Sequence, residues 1–299
     1  MMEHLHDDKI KFLEEKANAI RESIIEMLLE AKSGHTAGPL GLADIFAAFY
    51  FHILKHDPKN PSWEERDRLV LSNGHVCPVL YATMAHAGYF PVEELKTLRK
   101  FGSRLQGHPH REFLPALETS SGPLGSGLSQ VVGMAIADRI DHGRSSSKSF
   151  YCIVGDGELN EGQNWEAIML AGKEELQNLT VIVDRNNIQI DGFTEDIMPL
   201  EPLPQKWEAF NWHVQEVNGH DMRDIVGAVE QARAVFAKPS VIIAHTIPGR
   251  GVDFTERRFE WHGNPPGKGP GDVVPQAEQG GNAMAQLRTL GGRIKSEHE

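Results

Sequence analysis

Two short apolar runs, Phe150–Val154 and Leu179–Val183, constrain this chain more than any other feature. Each stops abruptly in small and polar residues. The first ends at Gly155-Asp156-Gly157 and the second at Asp184-Arg185-Asn186-Asn187, with a helical stretch from Trp165 to Ala171 between them. A strand, helix and strand of this length predict a right-handed parallel crossover. Arg68–Ser72 reads as a further strand with a helix from Pro78 to Ala87 behind it, and a helix from Met222 to Phe236 followed by a strand from Ser240 to His245 repeats the alternation. The predicted fold class is therefore α/β, a parallel sheet flanked by helices.

The flanking segments fit that plan. Apolar residues at Ile10, Leu13, Ala17, Ile20, Ile24, Met27 and Leu28 predict an amphipathic helix from Lys9 to Lys32. Two glycines and a proline stop it at Ser33–Pro39, and Leu40–Phe51 reads as a buried helix. Gly122–Gly127 leads into a small, apolar helix over Leu128–Ile140; its glycines lack the spacing of a dinucleotide fingerprint. Three prolines and four glycines between Gly263 and Gly271 mark a change in character, so residues 1–264 are taken as one cofactor-binding domain and 265–299 as a linker and loosely held tail, with a short helix over Ala283–Leu290.

Composition narrows the function. A formal charge of -12 opposes a general role on nucleic acid or anionic membranes. The two cysteines, Cys77 and Cys152, lie far apart, which leaves neither a disulfide framework nor a cysteine-ligated zinc site. The first residues lack a secretory pattern and no apolar run reaches membrane-spanning length, so a soluble, cytoplasmic protein is expected.

In a parallel sheet, ligands bind outside the carboxyl ends of the strands. There the crossover brings the Asp156 carboxylate near the Asn186 amide, with the backbone carbonyl of Ile188 close by. These are hard oxygen donors suited to Mg²⁺ or Ca²⁺, which take their remaining ligands from water and phosphate. Either turn alone is also compatible with an ordinary loop. Several histidines stand beside glycine or proline, away from any apolar pattern.

The spacing of Gly155-Asp156-Gly157, Glu161-Gly162, Glu166-Ala167 and Asp184-Arg185-Asn186-Asn187 resembles that of thiamine-diphosphate enzymes. Ser33-Gly34-His35, Leu71-Ser72-Asn73-Gly74-His75, Gly107-His108-Pro109, Ser121–Gly125, Thr246-Ile247 and His262-Gly263 follow the order found in the amino-terminal half of transketolases. The resemblance covers about residues 10 to 265. It implies that Asp156, Asn186 and the Ile188 carbonyl hold Mg²⁺ (with Ca²⁺ or Mn²⁺ as substitutes), that Gly155, Gly157 and His75 meet the diphosphate of thiamine diphosphate, and that Gly122, Leu124 and Ile247 line its rings. His35, His108 and His262 would face the sugar and move protons, for which imidazole is suited. Glu161 and Glu166 would join a chain of carboxylates near a subunit interface; the plainer alternative is that they favour a helix dipole. His4, His6, His110, His142 and His213 match nothing and are assigned to the surface, and His220 to a structural turn.

The glutamate that activates the cofactor's pyrimidine comes, in the family, from a following domain, and the resemblance stops before it. The sequence thus reads as the amino-terminal subunit of a split transketolase, transferring a two-carbon ketol unit between sugar phosphates in the pentose phosphate pathway. Its partner would be a separate carboxyl-terminal, pyrimidine-binding subunit in an α2β2 heterotetramer, without nucleic acid or membrane. The α subunit of a 2-oxo acid dehydrogenase shares the Gly-Asp-Gly and Asn-Asn turns, and a non-catalytic relative is the third reading; the Leu71–His75 and Gly107–Pro109 motifs and the four histidines favour the first.

Overall fold

The computed structural model describes residues 5–290. Its helices are α1 Asp7–Ala31, α2 Ala37–Gly41, α3 Ala43–Ala48, α4 Cys77–His86, α5 Ser126–His142, α6 Gly162–Lys173, α7 Thr194–Ile197, α8 Leu203–Ala209, α9 Met222–Ala234 and α10 Gln276–Leu290. The strands are β1 Arg68–Leu71, β2 Phe150–Gly155, β3 Leu179–Arg185, β4 Ile188–Gln189, β5 Gly192–Phe193, β6 His213–Asn218 and β7 Ser240–His245. Five of them form one sheet in the order β1-β2-β3-β7-β6, parallel throughout, while β4 and β5 make a separate antiparallel hairpin.

Side-chain alternation divides the interior in two. Tyr151, Ile153, Ile182 and Ile242 point into a core shared with α1, α3, α4 and α9. Phe150, Cys152, Val154, Val181, Val183 and Ile243 point the other way, into a core shared with α5, α6 and the indoles of Trp207 and Trp212. β2 and β3 are buried at every position, as expected of central strands covered on both faces. Helix ends follow local chemistry: Asp221 caps α9 by accepting the N–H groups of Arg223 and Asp224, and Asp7 and Asp8 sit in the first turn of α1.

Three segments depart from the sequence reading. β6 carries the polar run His213-Val214-Gln215-Glu216-Val217-Asn218 along the sheet edge, where one-sided burial leaves little apolar signal. The single helix expected over Leu40–Phe51 is broken into α2, α3 and a wider turn at Phe49–Ile53; at Gly41 a side chain would strike the carbonyl of Ile247. The loosely held tail is, as far as residue 290, packed: α10 starts seven residues earlier than predicted and lies along α1, with Asn18 donating to the Leu287 carbonyl at 3.2 Å. Residues 291–299 of that tail, and His4, lie outside the described residues. Among the described residues no helix is long and apolar enough to cross a membrane.

Candidate active site

Register aligns the strand ends that the sequence singled out. Gly155 pairs with Asp184 across β2 and β3, and the Asp156 N–H continues the ladder to the Asp184 carbonyl at 3.2 Å. One Asp156 oxygen accepts the Gly157 N–H at 2.7 Å. The other accepts the Asn187 N–H at 2.7 Å and Arg185 Nη1 at 3.2 Å. Asn187 has a φ of 65°, which turns the chain back so that its amide reaches Asp156. Asn186 Oδ1 accepts the Ile188 N–H at 3.0 Å, and its Nδ2 donates to Asp184 at 2.9 Å.

The opposite wall is imidazole. The rings of His35 and His75 lie 4.8 Å apart, those of His75 and His262 5.1 Å, and those of His35 and His262 5.5 Å. His108 lies beside Gly122, whose φ of 152° and lack of a side chain let the loop approach it. Burial, then the neighbouring His262, Arg99 and His108, pulls His35 down to about 3. Burial likewise depresses His75, His262 and His108, so these rings are neutral at neutral pH.

Between these walls is a cavity of about 300 Å³, lined by His35, His75, His108, His262, Gly122, Leu124, Gly155, Asp156, Gly157, Asn186 and Ile188 among others. Eleven of the predicted site residues therefore meet in one place. Glu161, Glu166 and Ile247 do not line it. The two glutamates are exposed, Glu161 just before α6 and Glu166 within it. Ile247 is engaged from behind: its N–H donates to His220 Nε2 at 2.7 Å. The other His220 nitrogen therefore bears the proton donated to Asp44 at 2.7 Å, and Arg21 also pairs with Asp44. Burial alone would raise the Asp44 carboxyl, yet Arg21 and His220 hold it well below the usual range. His220 is thus a structural clamp. Of the supposed surface histidines, His6 and His142 are exposed, but His110 packs on Phe113 and His213 is half-buried at the start of β6.

Glu158, Asn73, Asp184 and Gln189 also line the cavity and were not singled out from sequence. Glu158 is buried and accepts the Ser72 hydroxyl at 2.5 Å, the Gly125 N–H at 2.7 Å and the Gly155 N–H at 3.0 Å. It ties the ends of β1 and β2 to the loop that starts α5. Its position one residue after the Gly-Asp-Gly turn was the available signal.

Does the site suit a divalent ion and an anionic cofactor? Among the described residues no trio of His, Cys, Asp and Glu side chains is set to hold a metal. The donors here are instead one carboxylate, one side-chain amide and a backbone carbonyl, a hard set that leaves room for phosphate oxygens. Burial pushes Asp156 up to about 6, held back in part by Arg185 and two amides. Burial also pushes Asp184 up to about 7, the Thr246 hydroxyl opposing and the Asp156 charge adding. Two adjacent buried acids, of which only Asp156 meets a guanidinium, suit a cation. Buried polar atoms without partners, His35 Nδ1, His262 Nδ1, Asn73 Oδ1 and Gln189 Nε2, offer further ligand contacts. The residues fit. A larger depression of about 600 Å³ at the amino-terminal ends of the strands does not compete, because its Arg144, Lys148 and Arg233 are each paired with an acid.

The chain matches the family model described as transketolase, thiamine diphosphate binding domain, over residues 13–279. It is 46% identical over 250 residues to the 6-deoxy-6-sulfo-D-fructose transketolase subunit SqwG of Clostridium sp. (strain MSTE9), covering 84% of this chain and 90% of that one. It is 42% identical over 268 residues to an apulose-4-phosphate transketolase subunit of Actinobacillus succinogenes, covering 89% and 94%. The transketolase of Campylobacter jejuni superposes with a TM-score of 0.81 at 35% identity, covering 96% of this chain and 48% of that one. The chain thus spans about half of that solved transketolase and nearly the full length of the two subunits. By family model, relatives and structure alike, the chain belongs to the transketolase family.

Proposed function

We propose that this protein is the amino-terminal subunit of a split transketolase, carrying a two-carbon ketol unit from a ketose phosphate to an aldose phosphate. The observation that carries this reading is the single cavity that sets Asp156 and Asn186, at the ends of neighbouring strands, against a wall of neutral histidines. The subunit format is supported by two relatives that are themselves named as subunits and are matched over 90% and 94% of their length.

Asp156, Asn186 and the Ile188 carbonyl would hold Mg²⁺, with Ca²⁺ or Mn²⁺ able to replace it. Gly155, Gly157 and His75 would receive the diphosphate, and Gly122 and Leu124 the rings, with the Ile247 segment supporting them from outside the cavity. Thiamine diphosphate held there supplies the carbon nucleophile that the chain itself lacks. His35, His108 and His262, neutral at neutral pH, would accept a proton from a sugar hydroxyl and return it. Glu161 and Glu166, both exposed, would join the carboxylates that meet a partner. That partner is a separate pyrimidine-binding subunit that completes the site in an α2β2 assembly, in the cytoplasm and within sugar-phosphate metabolism of the pentose phosphate type.

The purified chain is expected to bind thiamine diphosphate in a Mg²⁺-dependent way yet to show no ketol transfer until the pyrimidine-binding subunit is added. Calorimetry, light scattering and a ketose-phosphate panel measure binding, stoichiometry and transfer. Robust transfer by this chain alone refutes the split reading, and absence of transfer by the assembled pair on every ketose phosphate refutes the reaction.

A further inference from the structure

His262 lines the cavity and, like His35, has a buried Nδ1 without a partner. Its ring meets those of His35 and His75, and its backbone is held on both sides. On one side stands Trp261, fully buried, with its ring edge-on to Phe254 at 5.3 Å. On the other, the Thr36 hydroxyl donates to the Asn264 carbonyl at 2.7 Å.

What seats Trp261 is the segment that follows. Its six-membered ring lies against Gly269, where any side chain would overlap it. Gly269 belongs to the Pro/Gly-rich loop, and that loop is gathered onto one buried side chain of α10, Gln279. Its Oε1 accepts the Gly267 N–H at 2.9 Å, while its Nε2 donates to the Pro270 carbonyl at 2.7 Å and the Val274 carbonyl at 3.1 Å. α10 is in turn fixed to α1, where Gly280 leaves no room for a side chain beside Leu29. An unbroken set of contacts therefore runs from α1 through Gln279, Gly269 and Trp261 to His262.

We propose that residues 265–290 form a strap whose function is to hold His262 at the active site, with Gln279 as its positioning residue. The strap explains why a run of prolines and glycines is packed rather than loose: the prolines limit the unfolded loop's freedom and the glycines admit the indole. The proposal rests on the reading of His262 as a substrate-facing group only for its consequence in catalysis, not for the packing itself.

The test uses the full chain and two variants. Gln279→Met keeps the volume and deletes every hydrogen bond; Gln279→Glu keeps the acceptor for Gly267 and sets an oxygen against three carbonyls, those of Gly269, Pro270 and Val274. Hydrogen exchange read by mass spectrometry is expected to accelerate at least about tenfold over residues 259–264 in both, with residues 122–127 and 155–158 unchanged. Thermal unfolding confirms that each variant is folded, and Gln279→Glu serves if Gln279→Met is not. In the assembled complex, turnover should fall by about tenfold or more at unchanged affinity for thiamine diphosphate. In a His262→Ala background the same change should cost nothing further. Unchanged exchange over 259–264 in a folded variant overturns the strap. Multiplicative losses in the double variant overturn the action through His262. If His262→Ala itself leaves transfer intact, the assigned role of His262 fails while the exchange result still decides the strap.

Discussion

Glu158→Gln is a nearly isosteric change with a large expected effect, because the carboxylate sits where three elements meet. One of its oxygens accepts both the Ser72 hydroxyl and the Gly125 N–H, and the other accepts the Gly155 N–H at 3.0 Å. Glutamine can keep the first oxygen, but its amide then turns N–H toward N–H at Gly155. That replaces a hydrogen bond to a charged acceptor, worth about 1.5–3 kcal/mol, by an unsatisfied buried donor costing roughly 1–3 kcal/mol. Removing a buried charge returns part of this, since burial disfavours the ionised form. The net expectation is a loss of about 2 kcal/mol, and of about 3–5 kcal/mol for Glu158→Ala, which leaves both amides without an acceptor. A chain of this size should then melt lower by roughly 4 °C for the glutamine variant. Because Gly125 closes the loop that contributes Gly122 and Leu124 to the cavity, thiamine diphosphate affinity should fall with it. Urea unfolding and calorimetric titration measure the two effects. A glutamine variant with wild-type midpoint and wild-type cofactor affinity would show that this carboxylate holds nothing in place.

Asp156→Ala should abolish Mg²⁺-dependent cofactor binding while the chain still folds, checked by calorimetry beside far-UV circular dichroism. His108→Ala and His262→Ala should lower turnover far more than cofactor affinity, and His75→Ala the reverse; equal loss of affinity in all three would erase that division of roles. His35, drawn from its ordinary 6.5 down to about 3, favours the folded state only while neutral. Its contribution is complete above pH 6.5 and shrinks as pH falls toward 3, by at most about 1.4 kcal/mol per pH unit. His35→Asn should therefore flatten the acid side of the stability profile, and urea midpoints between pH 7 and 4 that fall as steeply as in wild type contradict it.

Much of the architecture was legible because β2 and β3 are covered on both faces and so spell continuous apolar runs, and because their ends are marked by residues with few other uses. Asp156, Asn186 and the glycine-flanked histidines stood out for the same reason: chemistry in a turn leaves a local trace. What failed to show was whatever depends on neighbours distant in sequence. Glu158 looks like any acid at a helix start until Ser72 and Gly125 close on it. β6 lies at an edge and buries too little to announce itself. The packing of residues 265–290 was hidden because proline and glycine signal a loop but not what the loop lies against; Trp261 supplies that surface. Glu161 and Glu166 carry the motif spacing yet are exposed and do not line the cavity, a distinction that helical phase near a cap does not reveal.

The clamp on Ile247 has a consequence for how the molecule is made. Its members, Arg21, Asp44, His220 and Ile247, come from the first and last parts of the chain, as do His35 and His262. During synthesis the amino-terminal wall leaves the ribosome long before its counterpart, and a chain with so many distant pairings closes slowly. Until β7 inserts between β3 and β6, Asp44 has Arg21 for company but no imidazole, and the cavity still lacks His262. The full lining of the cavity is thus assembled only when the chain is nearly complete, His262 being its last member in sequence.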